Sequence, residues 1–125
     1  MKKALYFEKL DNKSVKCNLC PHYCKIKEKN KGICDVRLNI GGELYSEVYG
    51  KVIALNTDPI EKKPLYHYFP GKQILSVGSI GCNFKCKFCQ NYDISHPGPE
   101  KFNKMHDISS ESIIDLAKKG RSFGI

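Results

Sequence analysis

Seven cysteines constrain this 125-residue chain more than any other feature. Cys17, Cys20, Cys24 and Cys34 come first, spaced C-x2-C-x3-C-x9-C; Cys82, Cys86 and Cys89 follow as C-x3-C-x2-C. An odd number of thiols cannot all pair as disulfides. The N-terminus "MKKALYFEKLDNKS" carries two lysines without the apolar core of a signal peptide, and no apolar run approaches membrane-spanning length. The expected setting is therefore cytoplasmic, where clustered thiols serve metals or redox chemistry rather than cross-links.

The two groups call for different chemistry. Four thiols can close a tetrahedral site, and Pro21 and Gly32 help the chain turn back on itself. A structural zinc or a second iron–sulfur cluster both satisfy Cys17, Cys20, Cys24 and Cys34, and His22 could replace one of them. Three thiols on one short loop do not complete a site. A zinc ribbon needs two C-x2-C pairs, and a bacterial ferredoxin run needs four cysteines. Either His96 supplies a fourth ligand, or one metal position stays open for a small molecule, as in catalytic zinc sites.

The net charge of +8 suggests nucleic acid, but its distribution argues otherwise. Residues 1–35 hold nine lysines against four acids, beside the first thiol group. Metal-bound cysteines are thiolates, so much of this basicity offsets local negative charge. Lys25, Lys27, Lys29 and Lys31 alternate along "KIKEKNK" with only Tyr23 as a stacking ring, whereas nucleic-acid faces interleave several aromatics with their charges.

Along the chain, residues 17–34 read as a loop-rich knob. Val36 to Leu55 is strand-like, with turn signals at Gly41-Gly42 and Gly50-Lys51 predicting hairpins. "NTDPIEKKPLYHYFPG", with three prolines, reads as an irregular connection carrying an aromatic cluster. "QILSVG" (Gln73 to Gly78) is a buried-strand candidate leading into the triplet loop. Ser109 or Ser110 opens a helix whose early acids are Glu111 and Asp115. Lys118 and Lys119 lie late in it, and Gly120 stands past its end. Strand, cysteine loop, helix and the start of "RSFGI" resemble the opening of a βαβ series. The reading is thus α/β: a β-rich metal-binding region over residues 1–70, then over 71–125 the first β-α unit of a partial (β/α) TIM-like barrel. A chain stopping there reads as the N-terminal portion of a longer protein.

The residues "CNFKCKFC" resemble the cluster signature of radical S-adenosylmethionine (radical SAM) enzymes. Together with "CNLCPHYCKI", "KGICDVR", "DPIEKKPLYHYFPG" and "GCNFKCKFCQNYDIS", they resemble the pyruvate formate-lyase activating enzyme-like branch. More narrowly, they resemble the radical SAM component of the AmmeMemoRadiSam system. The resemblance implies a 4Fe-4S cluster held by Cys82, Cys86 and Cys89, its fourth iron chelated by S-adenosylmethionine. One electron would cleave the sulfonium and yield a 5′-deoxyadenosyl radical that abstracts hydrogen. By position, Phe88 would lie against the adenine. It also implies a reduced flavodoxin or ferredoxin as electron donor, a possible protein substrate, and no membrane partner. The 125 residues alone are expected to be inactive, since such a radical must be walled from water.

Other residues are open to two readings. Gln90 and Asn91 follow the last cysteine and could reach the cluster or S-adenosylmethionine, or simply cap and face solvent. Gly78 and Gly81 mark either close approach to a ligand or ordinary turns. Asp58 and Glu61 form a carboxylate pair or a solvated face; His67 more often belongs to a packed aromatic loop. The rival functions are an iron–sulfur electron-transfer protein and a basic zinc module for nucleic acid.

Overall fold

The computed structural model describes residues 1–125 as short strands with few helical turns. The strands are β1 (Lys2–Lys3), β2 (Phe7–Lys9), β3 (Val15–Cys17), β4 (Lys25–Ile26), β5 (Arg37–Ile40), β6 (Glu43–Ser46), β7 (Lys51–Val52), β8 (Ala54–Pro59), β9 (Gln73–Gly78) and β10 (His106–Asp107). The helices are α1 (Tyr92–Ser95), α2 (Pro99–Phe102) and α3 (Ser110–Lys119). Two compact units result. One combines Met1–Tyr49 with Ile80–Lys104, the other Gly50–Ser79 with Met105–Ile125.

The first unit holds two three-stranded antiparallel sheets, ordered β1-β6-β5 and β2-β3-β4. The β5–β6 hairpin turns at Gly41-Gly42, with φ of +62° and +83°. A two-residue turn matching the strand twist needs positive φ at both positions, which glycine adopts without a Cβ clash. Val15, Ile26, Leu44, Ala4 and Cys17 form the core, with Phe7 and Cys24 packed against it. Burying side chains the size of Val15, Ile26 and Leu44 stabilises by about 1.5–3 kcal/mol each. Among them lies one polar side chain. Asn39 is fully buried, its Nδ2 donating to the carbonyls of Lys13 and Ile26 (2.8 Å each) while its Oδ1 accepts from Gly42 N–H at 3.0 Å. Every polar atom of that side chain therefore has a partner, which burial requires.

The second unit is a long β8–β9 antiparallel pair with a short β7–β10 pair. Val52, Ile60, Leu75, Met105 and Ala117 are its buried apolar residues. Ser109 caps α3 by accepting from Ser112 N–H at 3.1 Å, and Gly120 ends it, as the sequence predicts. Tyr68, Phe69 and Phe123 meet edge to face or tilted, with centroid separations of 4.5–6.2 Å. His67 itself is exposed beside these rings.

This architecture corrects the α/β expectation. The strand Gln73–Gly78 does form, but its partner is β8, antiparallel over six registered pairs from Ala54–Gly78 to Pro59–Gln73. Its parallel contact is one isolated bridge, Ile74 to Gly124. The molecule is a set of small antiparallel sheets with few helices rather than the opening of a TIM-like barrel. The misreading began at Asn56–Pro59, taken as irregular for its proline. Pro59 has φ −59°, ψ 143°, an extended backbone, and β8 pairs only with β9, so it is an edge strand, where proline's missing N–H is tolerated. No helix is long and apolar enough to cross a membrane.

Candidate metal centre

Both thiol groups belong to the first unit. Cys17 ends β3 and is buried, its N–H donating to Cys24 O at 2.9 Å. Between them the chain turns at Cys20–Tyr23, where Tyr23 N–H donates to Cys20 O at 3.1 Å and Tyr23 takes φ +45°. A second turn, closed by Asp35 N–H to Gly32 O at 2.9 Å, carries Cys34. These turns place Cys17, Cys20, Cys24 and Cys34 around one cavity of ≈ 460 Å³, which Arg37 also lines. Arg37 Nη1 donates to Cys17 Sγ at 3.5 Å and to Leu5 O at 3.0 Å. All seven cysteines are free thiols.

The triplet loop closes part of that cavity. Cys82 lines it beside Gly81 and Asn83, so five of the seven thiols border one space. Cys82 Sγ accepts from Phe84 N–H at 3.4 Å, and Cys89 Sγ lies 3.4 Å from Ser95 Oγ. Cys86 is exposed, and Phe88 is 88% exposed. Gln90 is exposed too, while Asn91 stands at the N-cap of α1 and contributes only its carbonyl there. No three His, Cys, Asp or Glu side chains stand together as a ligand set for one ion. In chemical type the thiols fit both groups: three on one loop, and four around a cavity with a guanidinium in its wall.

Several other candidates have local partners. The His22 ring points to the triplet loop, its Nε2 donating to Asn83 O at 2.7 Å. His96 stacks on Tyr92, centroids 4.9 Å apart. Asp58 pairs with Lys62 Nζ at 2.7 Å, and that bond holds its carboxyl below the usual range. Glu61 accepts from Gly71 N–H at 2.6 Å, and that bond lowers its pKa in the same way. Each of these two carboxylates serves its own loop. Tyr23, the one ring among the alternating lysines, has Lys16 Nζ 5.5 Å from its centroid.

Sequence reasoning missed Arg37 and the meeting of Cys82 with the first group. The one available signal was Gly81, whose neighbours turn out to be protein. A Cβ there would lie 2.6 Å from Cys34 O and collide with Val36, and its φ is +88°.

No family model matches the chain, and no solved structure matches it. Over its whole length it is 44% identical to an uncharacterized protein, MJ0808, of Methanocaldococcus jannaschii. The chain spans 37% of that relative.

Proposed function

We propose that this chain carries the cluster-binding part of a radical SAM enzyme working in the cytoplasm. The observation that carries the reading is the C-x3-C-x2-C triplet, Cys82, Cys86 and Cys89, on one loop with the aromatic Phe88 directly before its last cysteine. Three thiolates leave one iron of a cubane without a protein ligand. When bound, a 4Fe-4S cluster supplies the electron for reductive cleavage of S-adenosylmethionine.

The chain's own residues have the remaining tasks. Cys82, Cys86 and Cys89 bind as thiolates. The Phe84 N–H, already donating to Cys82 Sγ, stabilises that sulfur's negative charge. Ser95 Oγ is placed to do the same at Cys89. Phe88 offers an exposed ring to stack on an adenine. A reduced flavodoxin or ferredoxin donates the electron, and the hydrogen donor is a substrate, a partner protein among the candidates.

The test is anaerobic reconstitution of the full natural chain with iron and sulfide, followed by EPR of the reduced protein with and without S-adenosylmethionine. The expected result is a cluster signal that shifts on adding S-adenosylmethionine and is absent when Cys82, Cys86 and Cys89 are all changed to Ala. An assembled cluster indifferent to S-adenosylmethionine overturns the reading in favour of electron transfer. Zinc with no cluster overturns it in favour of a zinc protein.

A further inference from the structure

The loop bearing the triplet is seated on the first thiol group by three contacts, each beside a cysteine on both sides. Gly81, next to Cys82, packs its Cα against the Cys34 carbonyl and Val36, with no room for a side chain. His22, midway between Cys20 and Cys24, donates to Asn83 O at 2.7 Å. Asp35, next to Cys34, pairs with Lys85 at 3.0 Å, and Lys85 adjoins Cys86. Cys82 itself borders the cavity that Cys17, Cys20, Cys24 and Cys34 line.

We infer that Cys17, Cys20, Cys24 and Cys34 form a structural site for a zinc-class divalent ion, and that this ion holds the seat on which the triplet loop assembles its cluster. Four thiolates close a tetrahedral shell and leave no open position, which marks structural rather than catalytic zinc. Four thiolates on a divalent ion carry two net negative charges, and Arg37 faces them from the cavity wall. Such ligands need not converge beforehand, because ion binding and local folding are one equilibrium. Ordering the turns at Cys20–Tyr23 and Gly32–Asp35 fixes His22, Cys34 and Asp35, the residues that hold Asn83, Gly81 and Lys85. Linkage makes the effect mutual: the docked loop tightens the ion, and the ion favours the docked loop. The second half of this inference rests on the cluster reading above; the first half does not.

The experiment is a cobalt(II) titration of the full chain, read by thiolate-to-cobalt charge-transfer absorption and the d–d bands of tetrahedral cobalt. It is paired with iron and sulfide analysis after anaerobic reconstitution. One tetrahedral cobalt is expected per chain, retained when Cys82, Cys86 and Cys89 become Ala and lost in Cys20→Ser/Cys24→Ser. Gly81→Val keeps all seven thiols but unseats the loop, and should weaken cobalt binding about ten-fold, within the usual range for coupled sites. His22→Ala/Lys85→Ala cuts two exposed contacts without touching a thiol or the buried core, and should weaken it a few-fold. Iron taken up by the triplet should fall in the same order.

Equal cobalt affinity in wild type, Gly81→Val and His22→Ala/Lys85→Ala overturns the coupling. A full triplet cluster in Cys20→Ser/Cys24→Ser does so as well. A four-iron cluster in the first site, or no thiolate-bound cobalt there, overturns the zinc-class assignment. The cobalt signal does not depend on S-adenosylmethionine, so a coupled chain whose cluster ignores that molecule loses the radical reading alone.

Discussion

Arg37 donates from Nη1 to the buried sulfur of Cys17 over 3.5 Å. The same nitrogen holds Leu5 O at 3.0 Å, so the guanidinium is tethered beside the thiol rather than swinging free. Removing such an outer partner commonly costs about 10–100-fold in metal affinity. Arg37→Met keeps much of the side chain's bulk and removes the donor and charge. Metal in the first thiol site should then pass to a competing chelator about ten-fold more readily. Arg37→Lys should recover only part of this, since its ammonium keeps the charge but ends one bond short of the Nη1 that reaches Cys17 and Leu5. Equal transfer rates in all three proteins would show that Arg37 merely packs there.

Asn39 carries the most concentrated polar bonding in the core of its unit. Asn39→Ala removes the hydrogen bonds that this side chain makes to the Lys13 and Ile26 carbonyls and the Gly42 N–H. Unpartnered buried groups cost about 1–3 kcal/mol each before relaxation or water entry. The expected destabilisation is about 3 kcal/mol, read from the midpoint of urea unfolding. A loss under about 0.5 kcal/mol, ordinary for a surface change, would mean that water replaces the amide without cost.

Glu43 lies between Lys3 (2.7 Å) and Lys9, and the hydrogen bond from Lys3, then that from Lys9, holds its carboxyl below the usual range. The sign follows from linkage: a carboxylate with a depressed folded-state pKa stabilises the fold above its unfolded pKa, and that contribution fades as pH falls through the folded value. Lys3, raised chiefly by its hydrogen bond to Glu43, works at the opposite end, its contribution fading as pH rises through its folded value. Urea midpoints measured from neutral pH down through the carboxylate range should therefore fall less steeply in Glu43→Gln than in wild type. Parallel curves would remove Glu43 from the acid response.

Ser109 is the cap of α3, accepting from Ser112 N–H at 3.1 Å. Ser109→Ala should cost about 1 kcal/mol and Ser109→Asp close to nothing. Hydrogen exchange at the Ser112 amide reads the local effect, faster in the alanine variant and unchanged in the aspartate one. Unchanged exchange in Ser109→Ala would place the cap elsewhere.

What the sequence determined by itself was local. Gly41-Gly42 announces a hairpin because positive φ at both residues belongs to the backbone there. Ser109 opens α3 through a hydrogen bond to Ser112, three residues on, and Gln73–Gly78 is extended on the strength of its apolar run. The cysteine spacings likewise divide the thiols into a group of four and a group of three, which is read directly from the chain. Tertiary structure decided the pairings. Nothing local to Gln73–Gly78 says that its edge will be taken by Ala54–Pro59, running antiparallel, rather than by a later parallel strand. Nor does spacing reveal that Cys82 shares a cavity with Cys17, or that His22 reaches Asn83 across 61 positions. Turns and caps are settled by the torsions and hydrogen bonds of a few neighbouring residues. Strand partners and cavity walls depend on which edges and loops remain free once the whole chain has packed.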